Sequence, residues 1–144
     1  IFFCWGVTYG LVENCVLINN DRYGISIGHR DTDNLIKGCK IEENGEVGIF
    51  FREPNGDNAF CAGNRNTIEN CDINDNGGDE RGFGIDIKGE TKDISIRKNR
   101  IGNTNTQNQQ KTGIRISDKS KRITIEENTF MDSPVEIEDH RMKE

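Results

Sequence analysis

An all-β solenoid, with short strands stacked coil upon coil, is the fold class this sequence predicts, and three observations predict it. A Gly-Ile-x-Ile figure returns at Gly24-Ile25-Ser26-Ile27, Gly48-Ile49-Phe50-Phe51, Gly84-Ile85-Asp86-Ile87 and Gly113-Ile114-Arg115-Ile116. It is cut into at Ile1-Phe2-Phe3 and fades to Pro134-Val135-Glu136-Ile137. A second figure, apolar-x-x-(Cys/Asn)-x-apolar, alternates with the first. Residue usage points the same way, with 19 Ile against three Leu and two Ala, so strand formers abound where the best helix formers are scarce. A period in the twenties to thirties is the signature of a stacked repeat.

Taken in order, the first-strand rungs start at Ile1, Ile25, Ile49, Ile85, Ile114 and Val135. That spacing is too uneven for a fixed-length helix in each repeat and suits strands joined by variable loops. The long loops fall at 53–67, 74–82 and 102–112, all rich in Gly, Asn, Asp and Gln. Within a rung, side chains alternate, so Ile85 and Ile87 point inward while Asp86 and Lys88 point outward. One turn cannot bury its own apolar residues, but turns stacked about 4.8 Å apart form a continuous column. Each fully buried Ile then contributes about 1.5–3 kcal/mol. The second figure centres on Cys15, Cys39, Cys71, Asn99 and Asn128, which reads as a ladder at a bend where amides bond from rung to rung.

Composition bounds the rest. The 144 residues make a single domain, 1–144, with formal charge −6, pI near 5.0 and mean hydropathy −0.76. That charge argues against a general nucleic-acid binder, which needs a surplus of Lys and Arg. No apolar run reaches the length of a membrane span and no signal segment is visible. The chain opens inside a strand figure without Met, so it reads as a piece of a longer one, expected to associate through its open ends when isolated. Three of the five cysteines share one column, which favours small buried side chains over a disulfide framework. No C-x-x-C spacing suggests zinc. A leucine-rich repeat is disfavoured by the absence of its Leu-x-x-Leu-x-Leu consensus.

These rungs, with Gly24 to Asn34 (GISIGHRDTDN) and Gly77 to Thr91 (GGDERGFGIDIKGET), resemble the right-handed parallel β-helix repeat proteins of the pectate-lyase-like superfamily, and in particular an uncharacterised bacterial β-helix family. The resemblance covers nearly the whole chain. It implies a right-handed parallel β-helix of about five to six coils in an extracellular or cell-envelope protein. It also implies a polysaccharide partner, met by a lyase, a glycoside hydrolase or an epimerase, or by a β-helix that only binds or adheres.

Chemistry must then come from the outward positions. Aligned on the first Ile, one outward column reads Phe2, Ser26, Phe50, Asp86, Arg115 and Glu136, and the next Cys4, Gly28, Arg52, Lys88, Ser117 and Glu138. Trp5, His29, Glu53, Gly89 and Asp118 stand at the strand exits. Arg52 opposite Lys88 is a like-charge pair that calls for an anion, either a protein carboxylate or a substrate uronate. With a uronate, Lys88 is a candidate base, its proton affinity lowered by Arg52, for abstraction α to the carboxylate. Against that stands an ordinary ladder in which Asp86 bridges Arg115 and Lys88. Candidate catalytic residues are therefore Lys88, Asp86, Arg52 and His29. Candidate substrate-binding residues are Trp5, Arg30, Glu53, Asp79, Glu80 and Arg115. Paired carboxylates, Asp86 with Glu53, Asp79 or Glu80, offer a hydrolase instead. Residues 29–33, His-Arg-Asp-Thr-Asp, offer a general base or oxygen ligands for Ca²⁺, against the simpler reading of a turn into the next strand.

Overall fold

The computed structural model describes residues 1–54, 61–78, 81–107 and 109–143. The first coil is β1 (Leu11–Glu13), β2 (Val16–Ile18) and β3 (Tyr23–Ile27), and the second is β4 (Leu35–Lys37), β5 (Lys40–Glu42) and β6 (Val47–Phe51). The third is β7 (Thr67–Glu69), β8 (Asp72–Asn74) and β9 (Phe83–Ile87). The fourth is β10 (Lys92–Arg97), β11 (Arg100–Gly102) and β12 (Thr112–Ile116), and the fifth is β13 (Lys121–Glu126), β14 (Thr129–Met131) and β15 (Val135–Asp139). Corresponding strands pair in parallel into three five-stranded sheets, so the chain is a parallel β-helix of about five coils. Residues 1–10 add a partial rung through the parallel bridges Phe2 to Ser26 and Thr8 to Thr32.

Two strand types were expected and three sheets are found, because the second figure bends at its centre. The residue before each Cys or Asn takes a left-handed conformation: Asn14, Gly38, Asn70, Lys98 and Glu127 have φ between 53° and 62°. That corner turns the chain from the first sheet into the second. The following side chain folds in to cap the neighbouring rung. Asn99 N–H donates to Asn128 Oδ1 (2.9 Å), Cys71 N–H to Asn99 Oδ1 (2.9 Å) and Cys39 N–H to Cys71 Sγ (3.4 Å).

A second amide ladder, not visible as a sequence figure, runs through Asn20, Asn44, Asn76 and Gln110. Each side-chain amide donates to the carbonyl of the next, at 2.7, 2.9 and 3.0 Å. The last three also donate to the main-chain carbonyls of Leu17, Ile41 and Ile73. Corner backbone that would otherwise be buried unpaired is thereby satisfied.

The rung glycine has a steric reason. A Cβ on Gly24, Gly48, Gly84 or Gly113 would lie 2.6–2.7 Å from the carbonyl oxygen of the equivalent residue one coil on. Only hydrogen fits where coils approach so closely. Inside, Ile25, Ile49, Ile85 and Ile114 stack beside Ile27, Phe51, Ile87 and Ile116, all fully buried. At the ends the column opens, leaving Leu11, Val16 and Ile18 exposed on one side and Val135 and Ile137 on the other.

The last rung departs from the sequence alignment. Ile114 pairs with Ile137 rather than Val135, which puts Glu138, not Glu136, beside Arg115. A two-residue slip keeps every side chain on its original face, so hydrophobic alternation could not reveal it.

Candidate functional site

The ladder of the third sheet continues one residue past its strands. Main-chain N–H groups of Arg52, Lys88, Ser117 and His140 donate to the carbonyls of Ile27, Phe51, Ile87 and Ile116 on the preceding coil. Four consecutive rungs thus hold four exit residues in line. Beside them lies a cleft of about 590 Å³ lined by Glu53, Asp86, Ile87, Lys88, Gly89, Arg115, Ser117, Asp118 and His140.

The cleft floor is a closed ion pair. Arg115 Nε donates to Asp86 Oδ1 at 2.9 Å and Nη2 to Oδ2 at 2.7 Å, and the guanidinium lies 3.8 Å from the Phe83 ring centroid. Asp86, expected on the open surface, is 2% exposed because Arg115 lies across it. The hydrogen bond to Asp86 raises the Arg115 pKa above its ordinary value. With both carboxylate oxygens occupied, Asp86 positions Arg115. Lys88 stands one position along, its Nζ 5.5 Å from the Phe50 ring centroid, with no ion pair among the described residues. At the far rim His140 Nε2 meets Glu138 Oε1 at 2.6 Å. Ser117 donates its hydroxyl to the carbonyl of Gly89 at 2.8 Å.

Arg52 does not face Lys88 across an anion. Its side chain turns toward the first rungs, donating to Ser26 Oγ (2.7 Å), the Phe3 carbonyl (2.9 Å) and Asp31 Oδ2 (3.3 Å), with Phe2 below it at 4.2 Å. Burial lowers its pKa, and the field of Asp31 opposes that shift. Like-charge contact is thus relieved by divergence: one cation goes to a buried carboxylate and the other to an aromatic ring.

Asp31 is a structural hub. Its Oδ1 accepts from the N–H groups of Gly6 and Val7, and its Oδ2 from Gly28 N–H and Arg52. Asp33 is held bidentately by Arg65 at 2.9 and 3.0 Å, which pulls its carboxyl below the ordinary range. The two aspartates proposed as Ca²⁺ ligands are therefore each engaged within the protein. Among the described residues no cluster of three or more His, Cys, Asp or Glu is arranged to hold a metal.

The remaining candidates divide. Glu53, Lys88, Asp86 and Arg115 meet in the cleft, whereas Trp5 and Arg30 line a separate concavity of about 500 Å³, with His29 stacked on Trp5. Asp79 and Glu80 lie outside the described residues. The cleft also recruits Ser117, Asp118 and His140. The first two stood in the outward columns without a role, and His140 was hidden by the register slip of the last rung.

A family model described as a right handed beta helix region matches residues 6–141. Neither curated proteins nor solved structures give a match. Among the described residues no helix is long and apolar enough to cross a membrane.

Proposed function

From a chain that belongs to the right handed beta helix family, we propose a protein that binds an acidic polysaccharide along the cleft beside Lys88. One observation carries this reading: the Lys88 ammonium stands in the cleft with an aromatic ring as its neighbour and no ion pair among the described residues. An anion in the cleft supplies the missing partner, and because Arg115 on the next rung is matched by Asp86, Lys88 is the cation that draws it. The cleft crosses four rungs, at Glu53, Lys88, Ser117 and His140, spaced about 4.8 Å apart. Such a run suits an extended chain of repeating units better than a compact ligand. Glu53, Ser117, Asp118 and His140 offer the donors and acceptors that sugar hydroxyls need.

Turnover is a second reading, favoured by one observation: Glu138 holds His140 at 2.6 Å on the cleft rim, the geometry that orients an imidazole for proton transfer. In an elimination, His140, or Lys88 in its neutral amine form, takes the proton α to a uronate carboxylate. The electron pair forms the new C=C bond as the C–O bond breaks, and the glycosidic oxygen leaves with the proton returned by the protonated base. A hydrolysis would instead use Glu53 and Asp118.

The test is a glycan array followed by product analysis on every hit. Binding confined to acidic glycans and weakened by salt supports the reading. Unsaturated sugar products assign elimination, and reducing ends without unsaturation assign hydrolysis. No binding to any acidic glycan by folded protein leaves a structural β-helix.

A further inference from the structure

We infer that the corner built by Trp5, His29 and Arg30 is a second binding site, for a single anionic sugar unit, sharing no lining residue with the cleft. Three facts converge there. Trp5 is 72% exposed and stacked, its ring 5.5 Å from that of His29 with 22° between planes. With one face against His29, the exposed indole has its other face to offer to the apolar face of a pyranose ring.

The second fact is conformational. Trp5 (φ 63°), His29 (φ 48°) and Arg30 (φ 68°) all occupy the left-handed region. In the third coil the residue in the Trp5 and His29 column is Gly89 (φ 64°), which adopts that geometry without steric cost. Left-handed corners bearing side chains recur along the coil, as at Asn14, Lys98 and Glu127, and this one is set apart by gathering Trp5, His29 and Arg30 on two adjacent rungs. The corner is fixed from beneath, since the fully buried Asp31 accepts from the N–H groups of Gly6, Val7 and Gly28. The site is preorganised rather than formed on binding.

The third fact is an unused donor. Asn64 is 6% exposed and lines the concavity. Its Oδ1 accepts from Lys92 N–H at 3.0 Å, while its Nδ2 has no hydrogen-bond partner among the described residues. Arg65 is committed to Asp33, but Arg30 has no ion pair among the described residues. One guanidinium, one amide donor and the side chains of Thr8 and Thr32 surround the space beside the indole. A carboxylate or sulfate on Arg30, hydroxyls on Asn64 and the threonines, and a ring face on Trp5 use all of these groups together.

Trp5 is the only tryptophan of the chain, so its emission reports this site directly. The experiment titrates the chain with trigalacturonate, with cellotriose as the neutral probe and AMP as the nucleotide probe. A saturable emission change with trigalacturonate is expected, weakened about tenfold by Arg30→Gln, as loss of one charge-assisted hydrogen bond implies. It is expected to persist in Lys88→Ala, because the cleft is elsewhere. Arg30→Lys, which keeps the charge, should recover part of the affinity, and circular dichroism confirms that each variant is folded. The inference is overturned by no saturable change, by equal affinity in Arg30→Gln, by a response to AMP but not to trigalacturonate, or by loss of the response in Lys88→Ala.

Discussion

Asp86 and Arg115 meet on adjacent rungs as a two-point pair, Nε to Oδ1 at 2.9 Å and Nη2 to Oδ2 at 2.7 Å, on the floor of the cleft. The carboxylate side chain is 3% exposed and the guanidinium side chain 26%. Removing one partner leaves the other charge poorly solvated. Asp86→Ala should therefore lower stability by about 2–3 kcal/mol in urea unfolding. That falls below the cost for a fully enclosed pair, because Arg115 keeps some water. Unchanged stability would show that the pair contributes nothing to the fold.

Ile87, the next residue, points the other way and is fully buried. Ile87→Ala should cost about 2–5 kcal/mol through lost burial and the cavity left behind. Ile87→Asp should prevent folding, since an unpaired charge would enter the column. Circular dichroism of the purified variants checks both.

The thiols of the first corner give a graded reactivity. Burial pushes the Cys71 thiol up to about 12 and raises that of Cys39, while Cys4 is exposed. In native protein at pH 8, a thiol reagent should modify Cys4 rapidly and Cys39 and Cys71 slowly. All five cysteines, free in the fold, should react once it is unfolded. The sign with pH follows: the unfolded thiol ionises from about 9 and the folded one does not, so the contribution of Cys71 is complete below pH 9 and is lost as pH rises toward 12. Stability that increases over that window would contradict the buried, protonated thiol.

The amide ladder has its own test in Asn76, which bonds both neighbouring rungs and the Ile41 carbonyl. Asn76→Leu matches the volume but takes the side-chain acceptor from Asn44 N–H and a donor from the Ile41 carbonyl, both on the second coil. It should cost about 1–3 kcal/mol in the same unfolding assay, with the exposed Asn105 as a neutral control.

What the sequence disclosed follows from what periodicity can carry. The Ile column and the Cys and Asn corner recur at near-regular places, so their burial and ladder bonding were legible before any coordinates. Gln110 was not legible as a rung, because the loop before it lengthens and the residue type changes. Nor was the last register, since moving Val135 or Ile137 into the rung satisfies the same alternation. The outward face was read correctly as a column and in the pairing of Asp86 with Arg115, and incorrectly in the contacts of Arg52 and Lys88. Arg52 and Lys88 are adjacent in register, but side-chain direction separates them: Asp31, outside the aligned columns, draws Arg52, and alignment gives the column of Phe2 and Phe50 without saying which cation each ring meets.

The central claim is that the Lys88 ammonium waits for a glycan anion. Its most direct test is calorimetric titration of trigalacturonate at two salt concentrations into an Arg30→Gln chain, in which the corner site is weakened, and into the same chain carrying Lys88→Ala or Lys40→Ala, a distant exposed lysine. The claim predicts binding that weakens with salt in the Arg30→Gln chain, falls about tenfold or more when Lys88→Ala is added, and is unchanged when Lys40→Ala is added. Equal affinity with and without Lys88→Ala in that background would contradict it.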